Sequence, residues 1–326
     1  MNQPTRIYTL LLDYAASEQT LSGCFMGLVW TLCQVDSPPL ACPSHLTPPQ
    51  AIGLAMSPGI ATRTLPWAGT LVGKTLGELS QWLMSWQAHE ATIGLAAVNC
   101  SLNQYRLPPG IRLANGNLAV FEHFLPQLKN QKVVVVGHYP GIEKYADSCQ
   151  LSIVERQPQA HDLPDPASEF LVPEADWVFL TASSLANKTF PRLAELAQHA
   201  KTVLMGPSLP WLPQWHEFGI DYLAGIEVYD PLKLSQTVAE GGGVRIFDNG
   251  ACYRLVELTP ETSMAWLKYR IADDYADKQK LTEAMERWYS SGHTARFPGF
   301  KNLQNLTARL SLMDSSYKAL WDEHHA

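Results

Sequence analysis

Short apolar runs alternate with amphipathic stretches in the middle of the chain, from about residue 118 to residue 258. The run VVVVG is typical of a strand buried on both faces of a parallel sheet, and LSIVER, DWVFLTAS, TVLMGPS and DYLAGIEV are further candidate strands. Stretches with helical spacing, such as FPRLAELAQHA and DPLKLSQTVAE, lie between several of them. This alternation predicts right-handed βαβ crossovers and an α/β fold with a Rossmann-like parallel sheet.

The two ends of the chain have different patterns. Residues 1 to about 110 contain short apolar runs broken by glycine and proline (CFMGLVWTLCQV, AIGLAMSP and LPWAGTLVGKTL), followed by a stretch with helical spacing. Strands followed by helices predict a small α+β domain. After about residue 260 the pattern is helical throughout. We therefore predict a small α+β domain over residues 1–112, a Rossmann-like domain over 113–260 that closes with a hairpin at Asn249-Gly250, and a helical extension over 261–326.

Composition narrows the classes of partner. Hydrophobic residues make up 46% of the chain and charged residues 17%, an ordinary balance for a globular protein. The net charge of −7 argues against a nucleic-acid partner, which would require a basic face. No apolar run approaches the roughly 20 residues that cross a membrane, and Asp13 interrupts the apolar stretch near the N-terminus. We expect a cytoplasmic protein, and a homodimer on the general frequency of dimers.

Turns rich in glycine, hydroxyl and charged residues follow four of the predicted strands. In an open α/β sheet, ligands bind at the carboxyl ends of the strands, near the switch point in strand order. We therefore expect these turns to lie along one edge of the sheet and to bind a ligand together. The residues expected to contact it are Gly137, His138, Pro140, Glu155, Arg156, Thr181, Asn187, Lys188, Thr189, Gly206, Pro207 and Ser208.

The turn from Gly137 to Gly141 leaves alternatives open. Pro140 is well placed to begin a helix, whose N-terminus would offer amide groups to an anion. The turn lacks the middle glycine of the G-x-G-x-x-G fingerprint. Glu155 nevertheless follows Gly137 by 18 residues, close to where dinucleotide enzymes place the acid that binds a ribose. Three interpretations of the turn remain open: it binds an anion, it binds a nicotinamide cofactor, or it is a tight turn without a ligand. For Glu155, a salt bridge at the end of the strand also remains open.

Motifs for direct metal or nucleophilic chemistry are scarce. The sequence has no H-E-x-x-H, paired C-x-x-C, G-x-S-x-G or G-x-x-x-x-G-K-[ST] motif. His138 is the best single candidate for a metal ligand or an acid–base group, the alternative being a hydrogen bond that braces its turn. Cys42 and His45 form a weaker Cys-x-x-His pair. His161 and Asp162 lie in a proline-rich loop from which they could reach the same edge.

Several of these segments occur in a characteristic order. VVVVGHYPGIE, IVERQP, DWVFLTASSLANKT, MGPSLP and GIEVYDP resemble the putative heavy-metal chelation family over about residues 130–232, and GLAAVNCSLN is similar to part of that family's small domain. The family joins an enolase-N-terminal-like domain to a Rossmann-like domain. The resemblance implies a ligand site in the crevice between them. The residues named above would form it together with Asp176 and Asp230, and Asn99 would lie on the opposite wall.

These patterns favour the binding or handling of a polar small molecule. The predicted edge has mostly oxygen and amide groups, which suit a polar organic anion better than a bare metal ion. The resemblance suggests a heavy metal or a metal-chelating compound as the ligand, and a transition or heavy metal ion as the candidate cofactor. Two alternatives stay open: a Rossmann enzyme that uses NAD or S-adenosylmethionine, and a non-catalytic interaction protein. The helical extension could be a lid, a dimer contact or a cover for the sheet.

Overall fold

The computed structural model describes residues 5–36, 51–159 and 161–325. The helices in these ranges are α1 (Arg6–Ala15), α2 (Leu76–Ser80), α3 (Ala88–Leu102), α4 (Ala119–Leu128), α5 (Ser168–Leu171), α6 (Phe190–Leu196), α7 (Pro231–Ala239), α8 (Pro260–Ser290) and α9 (Phe300–His325). The strands are β1 (Gly23–Met26), β2 (Trp30–Val35), β3 (Ala51–Met56), β4 (Ile111–Arg112), β5 (Lys132–Val136), β6 (Gln150–Glu155), β7 (Leu163–Pro164), β8 (Trp177–Thr181), β9 (Lys201–Met205), β10 (Tyr222–Val228) and β11 (Ala251–Glu257). None of the helices in the described ranges combines the length and apolar character that crossing a bilayer requires.

The first part of the chain forms an antiparallel sheet in the order β1-β2-β3, with α3 packed on it. A capping box starts α2, because Thr75 Oγ1 accepts from the Glu78 N–H (3.1 Å) while the Glu78 carboxylate accepts from the Thr75 N–H (2.9 Å). Gly53 lets α3 lie directly on β3, since a Cβ there would be 2.1 Å from Ala96 O. The prediction of a strand in LPWAGTLVGKTL is wrong, because that segment forms turns.

The large sheet of the described chain has the strand order β4-β11-β10-β9-β8-β5-β6-β7. β7, β6, β5, β8, β9 and β10 are parallel, and β11 and β4 add antiparallel pairings at one edge. The chain first extends the sheet from β5 towards β7 and then returns to add β8 on the other side of β5. The switch point of this doubly wound sheet therefore lies between β5 and β8. The predicted α/β fold with a mostly parallel sheet and a helical C-terminal region is confirmed.

The predicted hairpin at Asn249-Gly250 is wrong. Residues Val244–Phe247 form a short 3-10 helix, and β11 pairs with the distant β10, with Ala251 opposite Val228. Gly250 has a φ of +109°, and a Cβ there would lie 2.3 Å from Asp230 O. The dipeptide thus ends a long connection that contains α7.

Two apolar cores span both parts of the chain. One joins α1, α2 and α3 to one face of the large sheet and to the C-terminal helices, and includes Leu79, Leu180 and Trp266. The other packs α4 and α7 on the opposite face and includes Leu54 of β3 and Val135 of β5. The small sheet and the large sheet therefore bury their apolar surfaces together.

The C-terminal extension packs on the body of the protein. Helix α8 contacts α9, and α9 in turn contacts α1. Trp266 and Leu267 of α8 are fully buried, as is Met313 of α9. This packing covers apolar surface of the body. The proposed domain boundaries at residues 112 and 260, and the likeness of the first part to an enolase N-terminal domain, stay predictions.

Candidate functional site

A cleft of about 1560 Å³ opens between the first part of the chain and the large sheet. Turns that follow β5, β6, β8 and β9 form one wall, and residues 56–60 together with Ser85, Trp86 and Ala88 contribute to the opposite wall. The predicted site residues that line the cleft are Gly137, His138, Pro140, Glu155, Arg156, Thr181, Asn187, Lys188, Thr189, Gly206, Pro207 and Ser208. The turns grouped by their position after strands thus share one cleft. Their contact with a ligand stays a prediction.

Asn99 does not line the cleft. Its side chain is buried, and its Nδ2 donates to Leu54 O (2.7 Å) and to Ser208 O (2.9 Å). Ser208 Oγ in turn accepts from the N–H of Met56 (2.9 Å). These bonds join α3 and β3 to the turn after β9, so Asn99 positions the wall from behind.

Asp230 and Asp176 also lie away from the cleft. Asp230 is the N-cap of α7 and accepts from the N–H of Lys233 (3.1 Å). Asp176 accepts from the N–H of Lys132 (2.8 Å) at the amino ends of β8 and β5, the opposite edge of the sheet. Both carboxylates therefore fix backbone geometry.

The turn after β5 is held by Glu155. One carboxylate oxygen accepts from the N–H of His138 (2.9 Å), and the other accepts from the N–H of Gln157 (3.2 Å). Gly137 has a φ of +104°, and a Cβ there would lie 3.0 Å from the Thr181 side chain. Glycine is required for this conformation and for the close approach of β8.

The helix expected to begin at Pro140 is not an α-helix. Gly141, with a φ of +88°, precedes a single 3-10 turn over Ile142–Tyr145. The macrodipole that attracts anions is built from aligned peptide units, and one turn contributes few of them. Recognition of a ligand at this turn therefore depends on side chains.

His138 is held between two carboxylates. Its Nδ1 lies 3.0 Å from Asp162 Oδ1 and 3.1 Å from Asp162 Oδ2, and its Nε2 lies 3.5 Å from Glu143 Oε1. The Asp162 side chain is only 3% exposed and also accepts from the N–H of Gln159 (2.9 Å). Asp162 thus reaches this edge, as its position in the loop suggested.

The segment after β8 bonds mainly to itself. Thr181 Oγ1 lies 3.0 Å from Ser183 Oγ. Asn187 Oδ1 accepts from both the N–H (3.0 Å) and the hydroxyl (2.7 Å) of Thr189. These bonds identify Oδ1 as the acceptor, because the backbone N–H can only donate. The amide NH₂ of Asn187 is therefore the group available to a ligand.

Lys188 is the most perturbed group among the predicted residues. Its φ of +70° is unusual for a residue with a side chain. Its ammonium donates to Leu83 O, in the first part of the chain, and to Ala186 O (3.0 Å). Burial lowers the pKa of Lys188 to about 8. Two of its three N–H groups are thus engaged, and one remains for a ligand.

The charges that line the cleft are partly paired. Arg156 Nε lies 3.4 Å from Asp165, and Arg192 lies 2.6 Å from Glu169. Arg245 and Lys188 make no ion pair with a carboxylate within the described ranges. Among the residues that the structure describes, two cationic side chains that line the cleft therefore lack an acidic partner.

Several lining residues were not predicted from the sequence. Trp86 is 87% exposed beside the cleft, and the loop from Gly241 to Arg245 lines it as well. Trp30 Nε1 donates to Gly243 O (3.0 Å), which holds this loop against the first part of the chain. The glycine triplet at 241–243 is the sequence feature that could have indicated a loop near a ligand.

The residues that the structure describes do not fit a metal site made by the protein alone. No group of three or more His, Cys, Asp or Glu side chains in these ranges could hold an ion. Cys42 and His45 lie outside the described residues. A structural metal site normally takes four protein ligands and a catalytic one three. Within the described ranges, a metal in the cleft would find fewer than three protein ligands of these types, so further donors would be needed.

Comparisons with known proteins bear on both parts of the chain. The DUF364 and DUF4213 family models, both described as putative heavy-metal chelation, match residues 119–257 and 8–102, respectively. An uncharacterised protein of Methanocaldococcus jannaschii is 30% identical over 167 residues, which cover 49% of the chain. That match covers 62% of the relative, less than two thirds of its length.

Two solved structures share the fold. A DUF364 protein of unknown function from Desulfitobacterium hafniense has a TM-score of 0.62 at 28% identity, over 78% of this chain and 98% of that one. One from Pyrococcus horikoshii has a TM-score of 0.59 at 20% identity, over 78% of this chain and 100% of that one, a likeness of fold alone. Because the two family models together match well over half of its residues, this chain belongs to the putative heavy-metal chelation family.

Proposed function

We propose that the protein binds and handles a polar organic anion of the metal-chelating kind in the cleft between its two parts. The observation that carries the proposal is the set of unpartnered donors on the cleft wall. Lys188 keeps one N–H, Asn187 keeps its amide NH₂, and Arg245 lacks an acidic partner among the described residues. Donors without acceptors favour a ligand rich in acceptors, such as a carboxylate.

The size of the cleft supports an organic ligand. Pockets for small molecules measure about 300–1,000 Å³, and this cleft is larger, at about 1560 Å³. A bare metal ion would fill a negligible part of it. A chelator, alone or with a metal ion bound, matches the space better and is consistent with the family description.

The nucleotide-cofactor alternative has less support in the geometry. Dinucleotide-binding sheets place a pyrophosphate at the N-terminus of the helix after the first strand. Here a single 3-10 turn over Ile142–Tyr145 follows, and the Glu155 carboxylate is engaged by two backbone amides. NAD and S-adenosylmethionine belong in the same screen as the chelators.

The test is a thermal-shift and calorimetric screen with citrate and nitrilotriacetate, each with and without Ni²⁺. A ligand at a hundred times its dissociation constant adds about 2.7 kcal/mol to stability, so a rise in the melting temperature is expected. Lys188→Met should remove the shift, whereas Lys129→Met, at an exposed lysine outside the cleft, should retain it. No shift with any chelator, or equal shifts in both variants, would contradict the proposal.

A further inference from the structure

His138 and Glu143 have the spacing of two ligands of one metal ion. The Nε2 of His138 lies 3.5 Å from Glu143 Oε1. Metal–nitrogen and metal–oxygen bonds to zinc are about 2.0–2.2 Å long. With bonds of this length, two ligands lie about 3.4 Å apart at a tetrahedral angle and about 3.0 Å apart at adjacent octahedral positions. The side chains can therefore approach a single ion with little rearrangement.

Asp162 supplies the support that a metal-binding imidazole requires. Its buried carboxylate lies 3.0 Å from His138 Nδ1, and the N–H of Gln159 holds it in place. A histidine that donates its Nδ1–H to a carboxylate presents the Nε2 lone pair to a metal. That lone pair faces another carboxylate, Glu143, an unfavourable pairing unless a proton or a cation lies between them.

Two ligands leave most of a coordination sphere open. The described residues include no group of three or more His, Cys, Asp or Glu side chains that could complete it. His138 lines the cleft. Glu143 is outside the set of lining residues, but its half-exposed carboxylate lies 3.5 Å from His138 Nε2, so a metal ion bound to this nitrogen would also be close to Glu143. The missing donors can come from a chelator that occupies the cleft.

We propose that His138 and Glu143 form a metal half-site, positioned by Asp162, that binds the metal ion of an incoming metal–chelate complex. This inference rests on the proposed function and specifies its ligand: a chelate whose metal has two adjacent open positions. The chelator occupies the cleft, and His138 Nε2 and Glu143 Oε1 each donate an electron pair to the metal in place of water.

Ni²⁺–nitrilotriacetate is a suitable probe, because the chelator leaves two adjacent positions of an octahedral ion open. Calorimetric titrations should use a background in which His324 and His325 are glutamine, since a terminal histidine pair can bind the probe itself. Glu143→Gln and His138→Gln should weaken binding at least tenfold. Asp162→Asn should weaken it by about 10–100-fold, the usual effect of losing an outer-shell partner.

Glu122→Gln is the matched control and should leave the affinity unchanged. Glu122 is also a half-exposed carboxylate beside this 3-10 turn, where it bonds to Lys144 and Tyr145. Glu143 is half-exposed, so Glu143→Gln should fold even if the buried Asp162 variant does not. Equal affinities in wild type and Glu143→Gln overturn the half-site. Titration with metal-free citrate separates the two proposals: the half-site variants should bind it normally, and its complete failure to bind wild type would count against the proposed function instead.

Discussion

Replacing Asp274 with asparagine tests whether the C-terminal helices are fixed to the body by a buried ionic group. Asp274 of α8 accepts from Arg309 of α9 at both oxygens, 2.5 Å from Nε and 2.9 Å from Nη2. The Asp274 side chain is fully buried, and that of Arg309 is 4% exposed. Arg309 also donates to Tyr14 O of α1 (3.3 Å). The pair thus connects three helices.

The expected cost follows from the charges that remain. Arg270 lies one helical turn before Asp274 and is only 2% exposed. Its guanidinium carbon lies 3.4 Å from the centroid of the Tyr105 ring. Asparagine would leave the buried Arg309 guanidinium without the carboxylate that accepts from it, beside Arg270, which lies over the same Tyr105 ring. Breaking a buried pair by removing one partner costs about 3–5 kcal/mol, which is a large share of the roughly 5–15 kcal/mol that stabilises a protein. Arg309→Met should cost a similar amount, because it leaves the fully buried Asp274 carboxylate without the guanidinium that donates to it.

Urea unfolding followed by circular dichroism measures the change. The control is Asp273→Asn, at the adjacent position of α8, where Asp273 pairs with the exposed Arg106. Exposed pairs contribute at most about 1 kcal/mol, so the control should unfold near the wild-type midpoint. If Asp274→Asn also unfolds within about 1 kcal/mol of wild type, the buried pair does not hold the extension in place.

Three further predictions concern the cleft and the small sheet. Citrate affinity should fall as the pH rises through about 8, the pKa of Lys188, because the anion binds the protonated amine. Calorimetry across this pH range should find the same fall in Lys129→Met, and an affinity that does not change with pH would contradict the role of Lys188. Gly53→Ala should lower the free energy of unfolding in urea by about 1–3 kcal/mol, because the new Cβ would collide with backbone atoms of α3. Gly23→Ala should cost less, because the new Cβ would meet only the flexible Gln34 side chain. Trp86→Ala should change stability by less than about 0.5 kcal/mol yet weaken binding of chelators that carry an aromatic ring; unchanged affinity would remove Trp86 from the ligand's contacts.

The parallel strands could be predicted because the local sequence of each strand is enough to identify it. Four successive valines, Val133–Val136, are buried on both faces of the sheet, and such a run has few alternatives. The turns after these strands lie at one edge because parallel strands end on the same side. That rule placed Gly137, Lys188 and Ser208 in one cleft without knowledge of the packing.

The sequence-based predictions failed where contacts between segments far apart in the chain decide the structure. The Asn249-Gly250 dipeptide favours a hairpin locally, but β11 pairs with β10 across an intervening helix. Asn99 was expected on the cleft wall, yet it is buried because its amide bonds to carbonyl groups of two separate segments. The other wall, including Trp86, depends on how the two parts of the chain pack. The sequence pattern of either part alone carries no information on that packing.

The cores shared by the small and large sheets have a consequence for how the protein can be handled. A fragment limited to residues 8–102 would lack the part of the shared core that includes Leu180, and a fragment of residues 119–257 would lack the part that includes Leu79. Each fragment would expose an apolar surface to water and would therefore be prone to aggregation. We expect the whole chain to melt in a single cooperative transition, and neither piece to be recovered as a monodisperse protein when produced alone.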